Sequence, residues 1–242
     1  MNKVVLVTGA GKRIGKEIAK VFINDQWNVI IHCNNSLEEA SSLSKEFNNI
    51  REGSSCVIQA NLDNEKDVAR LIKEASGAYG RIDALINNAS SFYATPIAKM
   101  SYEDWDKLIG SNLKGPLFLT RGLAEQLKDN EGSVINITDI NIDKGMSGYS
   151  IYSAAKGGLK AVTKVLAREL APKVRVNAIA PGAILEPPDK KWSEQELISI
   201  TNKIPLNRLG DEIDIANAVK FVVDSKYITG QTINVDGGRS LL

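Results

Sequence analysis

The chain has 242 residues, 43% hydrophobic and 24% charged, an ordinary globular composition that suits one large α/β domain. Its 30 basic and 29 acidic side chains leave a net charge of +1, so composition offers no electrostatic case for nucleic acid or an anionic membrane. No apolar run approaches the ~18 residues of a membrane span, and a single histidine, His32, leaves almost no material for a histidine-based metal site or triad.

The N-terminus, M-N-K-V-V-L-V-T-G, enters a strand-like run directly and does not resemble a signal peptide. After that run come T-G-A-G-K-R-I-G and an amphipathic stretch from Ile14 to Ile23. Strand, glycine-rich turn and helix in this order are the pattern of a dinucleotide site. Gly9 and Gly11 permit a tight turn and close approach of a ligand to backbone, and Gly15 lets the helix lie near the strand. Unpaired N–H groups and the positive end of the helix dipole then face an anion, with Lys12 and Arg13 adding fixed charge.

A second apolar run, Val29 to Ile31, leads into H-C-N-N-S. His32 reads as structural or cofactor-adjacent. NAD-binding folds usually end this strand on a carboxylate that holds the ribose 2′-hydroxyl. Here Cys33, Asn34, Asn35 and Ser36 occupy that place, so a 2′-phosphate is expected to meet no repulsion and NADP(H) is preferred. Ser36 is also placed to cap the next helix, Leu37–Phe47. Strand Ser55–Gln59, helix Glu65–Tyr79 and strand Ile82–Ile86 continue an alternation that calls for a parallel sheet covered on both faces. Ligands of such sheets bind outside the carboxyl ends of the strands, which places Asn87, Asn88, Ser90 and Phe92 at the site.

A long helix is expected over Tyr102 to Asp129, kinked at Gly115-Pro116, with Asn112 in its apolar interior. A fifth strand, Gly132 to Ile137, ends at Thr138-Asp139. Ser150 is placed to cap a helix over Ile151 to Leu170, on which Tyr152 and Lys156 are one turn apart. An ammonium beside a phenol favours the phenolate and is expected to lower the tyrosine pKa, making a proton donor near neutral pH. Strand Val174 to Ala180 precedes P-G-A-I-L-E-P-P, and a flap is expected around residues 185–200, including Trp192. Helix Ile213–Val223, strand Thr232–Val235 and D-G-G close the chain. Cys33 and Cys56 have neither metal-type spacing nor a disulfide framework, which fits a reducing, cytoplasmic location.

T-G-x-x-x-x-x-G near the start, N-N-A at 87–89, Asn112, Y-x-x-x-K at 152–156, P-G at 181–182 and the terminal D-G-G resemble the short-chain dehydrogenase/reductase family from end to end. That resemblance implies a single-domain Rossmann fold: a doubly wound seven-stranded parallel sheet with helices on both faces. It also implies a nicotinamide cofactor and, often, a homotetramer. Arg13 stands where many members carry a second glycine, and Asp139 where most carry the catalytic serine. These departures resemble the pteridine reductase branch, as do N-N-A-S-S-F-Y-x-T-P at 87–96, G-Y-x-I-Y-x-x-A-K at 148–156 and K-x-P-L at 203–206. The branch implies reduction of dihydropterins or dihydrofolate-like rings by NADPH, with the pterin between Phe92 and the nicotinamide. Asn35 stands where the branch carries arginine beside the 2′-phosphate, and Asn61 replaces its aspartate near adenine.

Carried over position by position, the resemblance gives the cofactor Gly9, Gly11, Lys12, Arg13, Ile14 and Gly15 from the first turn. His32, Asn34, Asn35 and Ser36 follow from the second strand, and Asn61 and Leu62 from the third. Asn88, Ala89 and Ser90 come from the fourth strand, then Tyr152 and Lys156, and finally Pro181, Gly182 and Ile184. The substrate is given Ser90, Phe92, Asp139, Tyr152, Gly182, Leu185 and Trp192. Catalysis falls to Tyr152, Lys156, Asp139 and Asn112, without a metal. Asp139 suits a pterin because a carboxylate accepts two hydrogen bonds from adjacent N–H donors. The alternatives are a carbonyl or enoyl reductase acting on a ketone, quinone or acyl thioester, and a non-catalytic NADP(H)-binding sensor.

Overall fold

The first strand, β1 (Val4–Val7), is buried on both faces, as a central parallel strand requires. A computed structural model of the chain describes residues 2–184 and 191–241. In it β1 lies between β2 (Asn28–Cys33) and β4 (Ala84–Asn87), parallel to both. With β3 (Ser55–Gln59), β5 (Ser133–Ile137), β6 (Arg175–Pro181) and β7 (Thr232–Val235) they form one parallel sheet in the order β3-β2-β1-β4-β5-β6-β7. The order reverses between β1 and β4, and ligands of doubly wound sheets bind at such a switch point.

Alternate side chains of β1 supply two cores. Val5 and Val7 pack under α1 (Arg13–Asn24), α2 (Leu37–Ile50) and α8 (Glu212–Asp224), with Phe22, Phe47 and Val219. Val4 and Leu6 pack on the other face under α3 (Glu65–Ala78), α5 (Gly115–Asp129) and α6 (Ser150–Glu169), with Leu71, Leu123 and Ala167.

Several expectations are corrected by these contacts. The long helix over 102–129 is two helices, α4 (Tyr102–Ile109) and α5, joined by a π-helical turn at Gly110–Lys114. The break ends immediately before the expected kink at Gly115-Pro116, and its backbone passes close to the segment after β3: a Cβ on Gly110 would lie 2.7 Å from an oxygen of Asp63. Neither Ser36 nor Ser150 caps a helix with its side chain; Ser150 lies inside α6, whose cap position is Tyr149. Part of the expected flap is α7 (Glu194–Thr201), begun by a reciprocal Ser193–Glu196 capping box and burying no residue. Leu185 lies outside the described residues.

Asn87 does not turn to the site. Its side-chain N–H donates to Asn136 Oδ1 at 2.8 Å, and Asn136 Nδ2 donates to Thr163 Oγ1 at 2.9 Å, all buried beneath α6. This chain of amides ties β4, β5 and α6 together. Asn136→Ala leaves both neighbours short of a partner, and we expect it to lower unfolding free energy by about 2 kcal/mol, read as a lower urea midpoint with unchanged slope.

Candidate active site

The cradle at the switch point begins with Thr8. Its hydroxyl donates to Ile86 O at 3.2 Å and accepts from the backbone N–H groups of Asn88 and Ala89 at 2.9 and 3.0 Å. Asn88 Nδ2 returns hydrogen bonds to the carbonyls of Thr8 and Gly9 at 2.8 and 3.2 Å. The ends of β1 and β4 are thus stitched edge to edge. Glycine is needed here: Gly9 has φ +64°, and a Cβ on Gly15 would lie 2.2 Å from the Gly9 carbonyl oxygen. The start of α1 carries no acidic residue and no side-chain cap, so its amides remain available to an anion. A bare-backbone turn facing an uncapped helix start fits the diphosphate of a dinucleotide.

Arg13 has φ +52°, the left-handed region that favours glycine. That accounts physically for the glycine many family members carry at this position. Lys12, by contrast, is occupied: its ammonium pairs with Glu39 at 2.5 Å. Glu39, in the first turn of α2, thus brings a carboxylate near the end of β2, where burial and then its charge push the Cys33 thiol up. Asn34 and Asn35 are exposed, and Ser36 Oγ lies where a Cβ on Gly11 would come within 2.6 Å of it.

Of its two readings, His32 takes the structural one. It is fully buried, its Nδ1 accepts from the Gly9 N–H at 3.1 Å, and its Nε2 faces Ala60 O at 3.0 Å. One tautomer satisfies both, with the proton on Nε2. His32 holds the glycine turn in place and leaves neither ring nitrogen for a cofactor. Asn61 is similarly spent on a turn, its Oδ1 accepting from Asp63 N–H at 3.0 Å, and the side chain of Leu62 is buried in the core. Ile184 is also core, and Gly182 N–H bonds to Val235 O at 3.0 Å, joining the end of β6 to β7.

The reacting end is assembled from β5, α6 and the loop after β4. Tyr152 Oη donates to Asp139 Oδ2 at 3.0 Å. Lys156 is wholly buried and its Nζ donates to Ile137 O at 2.8 Å. The expected lowering of the Tyr152 pKa is not found. Burial, and then the carboxylate of Asp139, hold the phenol well above its ordinary value. Burial also lowers the Lys156 ammonium to about 8. Asn112, buried in the π-helical turn, accepts from Ser90 Oγ at 2.7 Å and donates to Ser91 O at 2.9 Å and Leu108 O at 3.0 Å. Ser90 is thus joined to Asn112.

Phe92 is 44% exposed and stands over the site, 4.9 Å between centroids and edge-on to Tyr152. One face is already stacked on Tyr149 at 4.9 Å and 17°. Trp192 is half-buried beyond the segment of Leu185. Sequence reasoning passed over Thr8, Tyr149 and Asn141. The first two stand inside quoted motifs, but nothing local marks Asn141. Among the described residues no group of three or more His, Cys, Asp or Glu could hold a metal ion, and no helix is long and apolar enough to cross a membrane.

Residues 9–240 match the family model described as Enoyl-(Acyl carrier protein) reductase. The chain belongs to the short-chain dehydrogenase/reductase family and is an oxidoreductase of that family. It is 37% identical to the 3-oxoacyl-[acyl-carrier-protein] reductase FabG of Staphylococcus epidermidis, over 98% of this chain and 99% of that protein. It is 36% identical to the 3-oxoacyl-[acyl-carrier-protein] reductase of Synechocystis sp., over 98% and 96%, and 35% identical to that of Thermotoga maritima, over 98% and 97%.

His32 makes stability depend on pH. Burial depresses its pKa from 6.5 to about 4, so between those values the unfolded chain binds more protons and stability is lost as pH falls. We expect His32 to contribute a loss of ~3 kcal/mol across that window. His32→Gln, which does not titrate, should flatten this part of the slope in urea titrations repeated across pH.

Proposed function

We propose that the protein is an NADPH-dependent reductase of pterins, taking a dihydropterin, a dihydrofolate-like ring or an oxidised pterin toward the tetrahydro form. The observation that carries this reading is the Asp139 carboxylate beside the Tyr152 hydroxyl. Reduction of a carbonyl develops an oxyanion, which a neighbouring carboxylate repels. A pterin instead presents adjacent N–H donors, which a carboxylate accepts. The exposed ring of Phe92 supports a flat substrate.

When bound, a reduced nicotinamide supplies a hydride to the carbon of a ring C=N bond. Tyr152 gives its hydroxyl proton to the ring nitrogen, so that C=N becomes CH–NH. Substrate N–H groups that engage Asp139 draw its charge away from the phenol and weaken the effect that keeps Tyr152 protonated. Lys156, cationic and buried, steadies the phenolate left behind. Asn112 fixes Ser90 beside the reacting groups and supports a water path by which Tyr152 is reprotonated through Lys156. Free Cys33 and Cys56 are compatible with a reducing cytoplasm, and exposed Trp105, Phe118 and Val165 on α4, α5 and α6 offer apolar contacts for a homotetramer.

The comparisons favour a second reading, a carbonyl reductase acting on a 3-oxoacyl thioester, because the relatives cited above carry that name. NADPH oxidation with dihydrobiopterin, dihydromonapterin, dihydrofolate and folate, set against a 3-oxoacyl carrier-protein thioester, decides between them. Turnover of the thioester alone replaces the pterin reading, and tight NADPH binding without any turnover leaves the sensor.

Asp139→Ser should cut dihydropterin turnover by about 100-fold while NADPH binding stays unchanged. Unchanged turnover would remove Asp139 from the chemistry. Glu39→Gln frees Lys12 and should tighten NADP+ binding by about fivefold, with NAD+ binding unmoved in fluorescence titrations.

A further inference from the structure

We infer that Asn141 is a positioning residue for Asp139, holding one carboxylate oxygen so that the other is presented to Tyr152. The inference deepens the pterin reading and rests on it for its catalytic consequence. Asn141 makes two bonds to the same atom. Its backbone N–H donates to Asp139 Oδ1 at 2.7 Å, and its side-chain Nδ2 donates to Oδ1 at 2.9 Å. Tyr152 Oη donates to the other oxygen, Oδ2, at 3.0 Å.

The backbone bond alone is the ordinary cap of the short 3-10 turn Ile140–Ile142. It leaves the carboxylate free to turn, because rotation about the last bond of an aspartate is broad and roughly two-fold. The amide of Asn141 adds a second donor to the oxygen already held, from the side chain of the same residue. Two converging donors fix the carboxylate plane and satisfy Oδ1. Oδ2 is then the oxygen that an incoming N–H donor meets, and it is the one carrying the phenol.

Substrate and phenol therefore compete for one atom. A substrate that donates N–H to Oδ2 displaces the Tyr152 hydroxyl, whose proton is then directed to the acceptor nitrogen. A substrate without such donors leaves the phenol bonded to Asp139 and poorly disposed to give up its proton. Asn141 would thus connect substrate identity to proton delivery without touching the reacting atoms.

Asn141→Ala keeps the backbone bond and removes the side-chain donor; Asn141→Ser serves if the alanine variant folds poorly. We expect kcat for dihydropterin to fall about tenfold while the NADP+ dissociation constant and the urea midpoint stay as they are. A second readout needs no substrate. Tyrosine ring-carbon NMR of the cofactor-free protein, with Tyr152 identified by Tyr152→Phe, follows ionisation of the phenol. With the carboxylate loosened, the Tyr152 midpoint should move down toward the ordinary tyrosine value. A Tyr152 midpoint that does not move in the variant overturns the inference, whatever happens to kcat. If the wild-type protein reduces no pterin, the pterin reading fails, and the NMR measurement still judges Asn141 by itself.

Discussion

A lysine with its ammonium buried against a carbonyl is the constraint around which this site is arranged. Lys156 donates to Ile137 O across the gap between α6 and the end of β5. Removing that charge from water is costly, as its pKa near 8 records, and the bond to the carbonyl offsets part of the cost. The arrangement works only with α6 close against the carboxyl end of β5. Asn136 and Thr163 hold the same two elements together one layer deeper. With helix and strand locked, Tyr152, one turn before Lys156, has nowhere to go but beside Asp139.

Electrostatics in this corner runs opposite to what a phenol and an ammonium on one helix face lead one to expect. The pairing rule neglects the strand. Burial holds the proton on the hydroxyl, and Asp139, just past the end of β5, adds to that effect, so the resting phenol keeps its proton. On the proposed reading, a donor reluctant at rest and released by the substrate serves selectivity as well as rate. The proposed choice of a nitrogen heterocycle over a carbonyl rests on this one carboxylate, and the 3-oxoacyl reductases to which the chain is similar supply the rival reading.

What could be read from the sequence was what local pattern encodes. The strand-turn-helix around Gly9, the alternation of strands and helices, and the single helical turn between Tyr152 and Lys156 are each written within a few neighbouring residues. The placement of Asp139 at a strand end followed from those. What escaped depended on partners far along the chain. Asn87 sits in a motif whose next residue braces the cradle, yet its own side chain is taken by Asn136 on the opposite side of the sheet, as strand alternation allows. For His32 a structural and a cofactor-adjacent role stayed open, because nothing near it in sequence announces Gly9 and Ala60. Glu39 restored a carboxylate that the end of β2 lacked, from a different element. The π-helical turn at Gly110–Lys114 packs closely on Asp63, a contact that nothing near Pro116 announces.

Arg13 carries a consequence of another kind. Its left-handed backbone costs roughly 1 kcal/mol for a residue with a side chain and nothing for glycine. A change to glycine would relax the turn and remove a positive charge at once. Folding stability and the local positive field therefore pull in opposite directions at one residue. Proteins tend to keep such a locally unfavourable choice where function draws on it. The turn is a compromise, held slightly off its resting shape for the charge it carries.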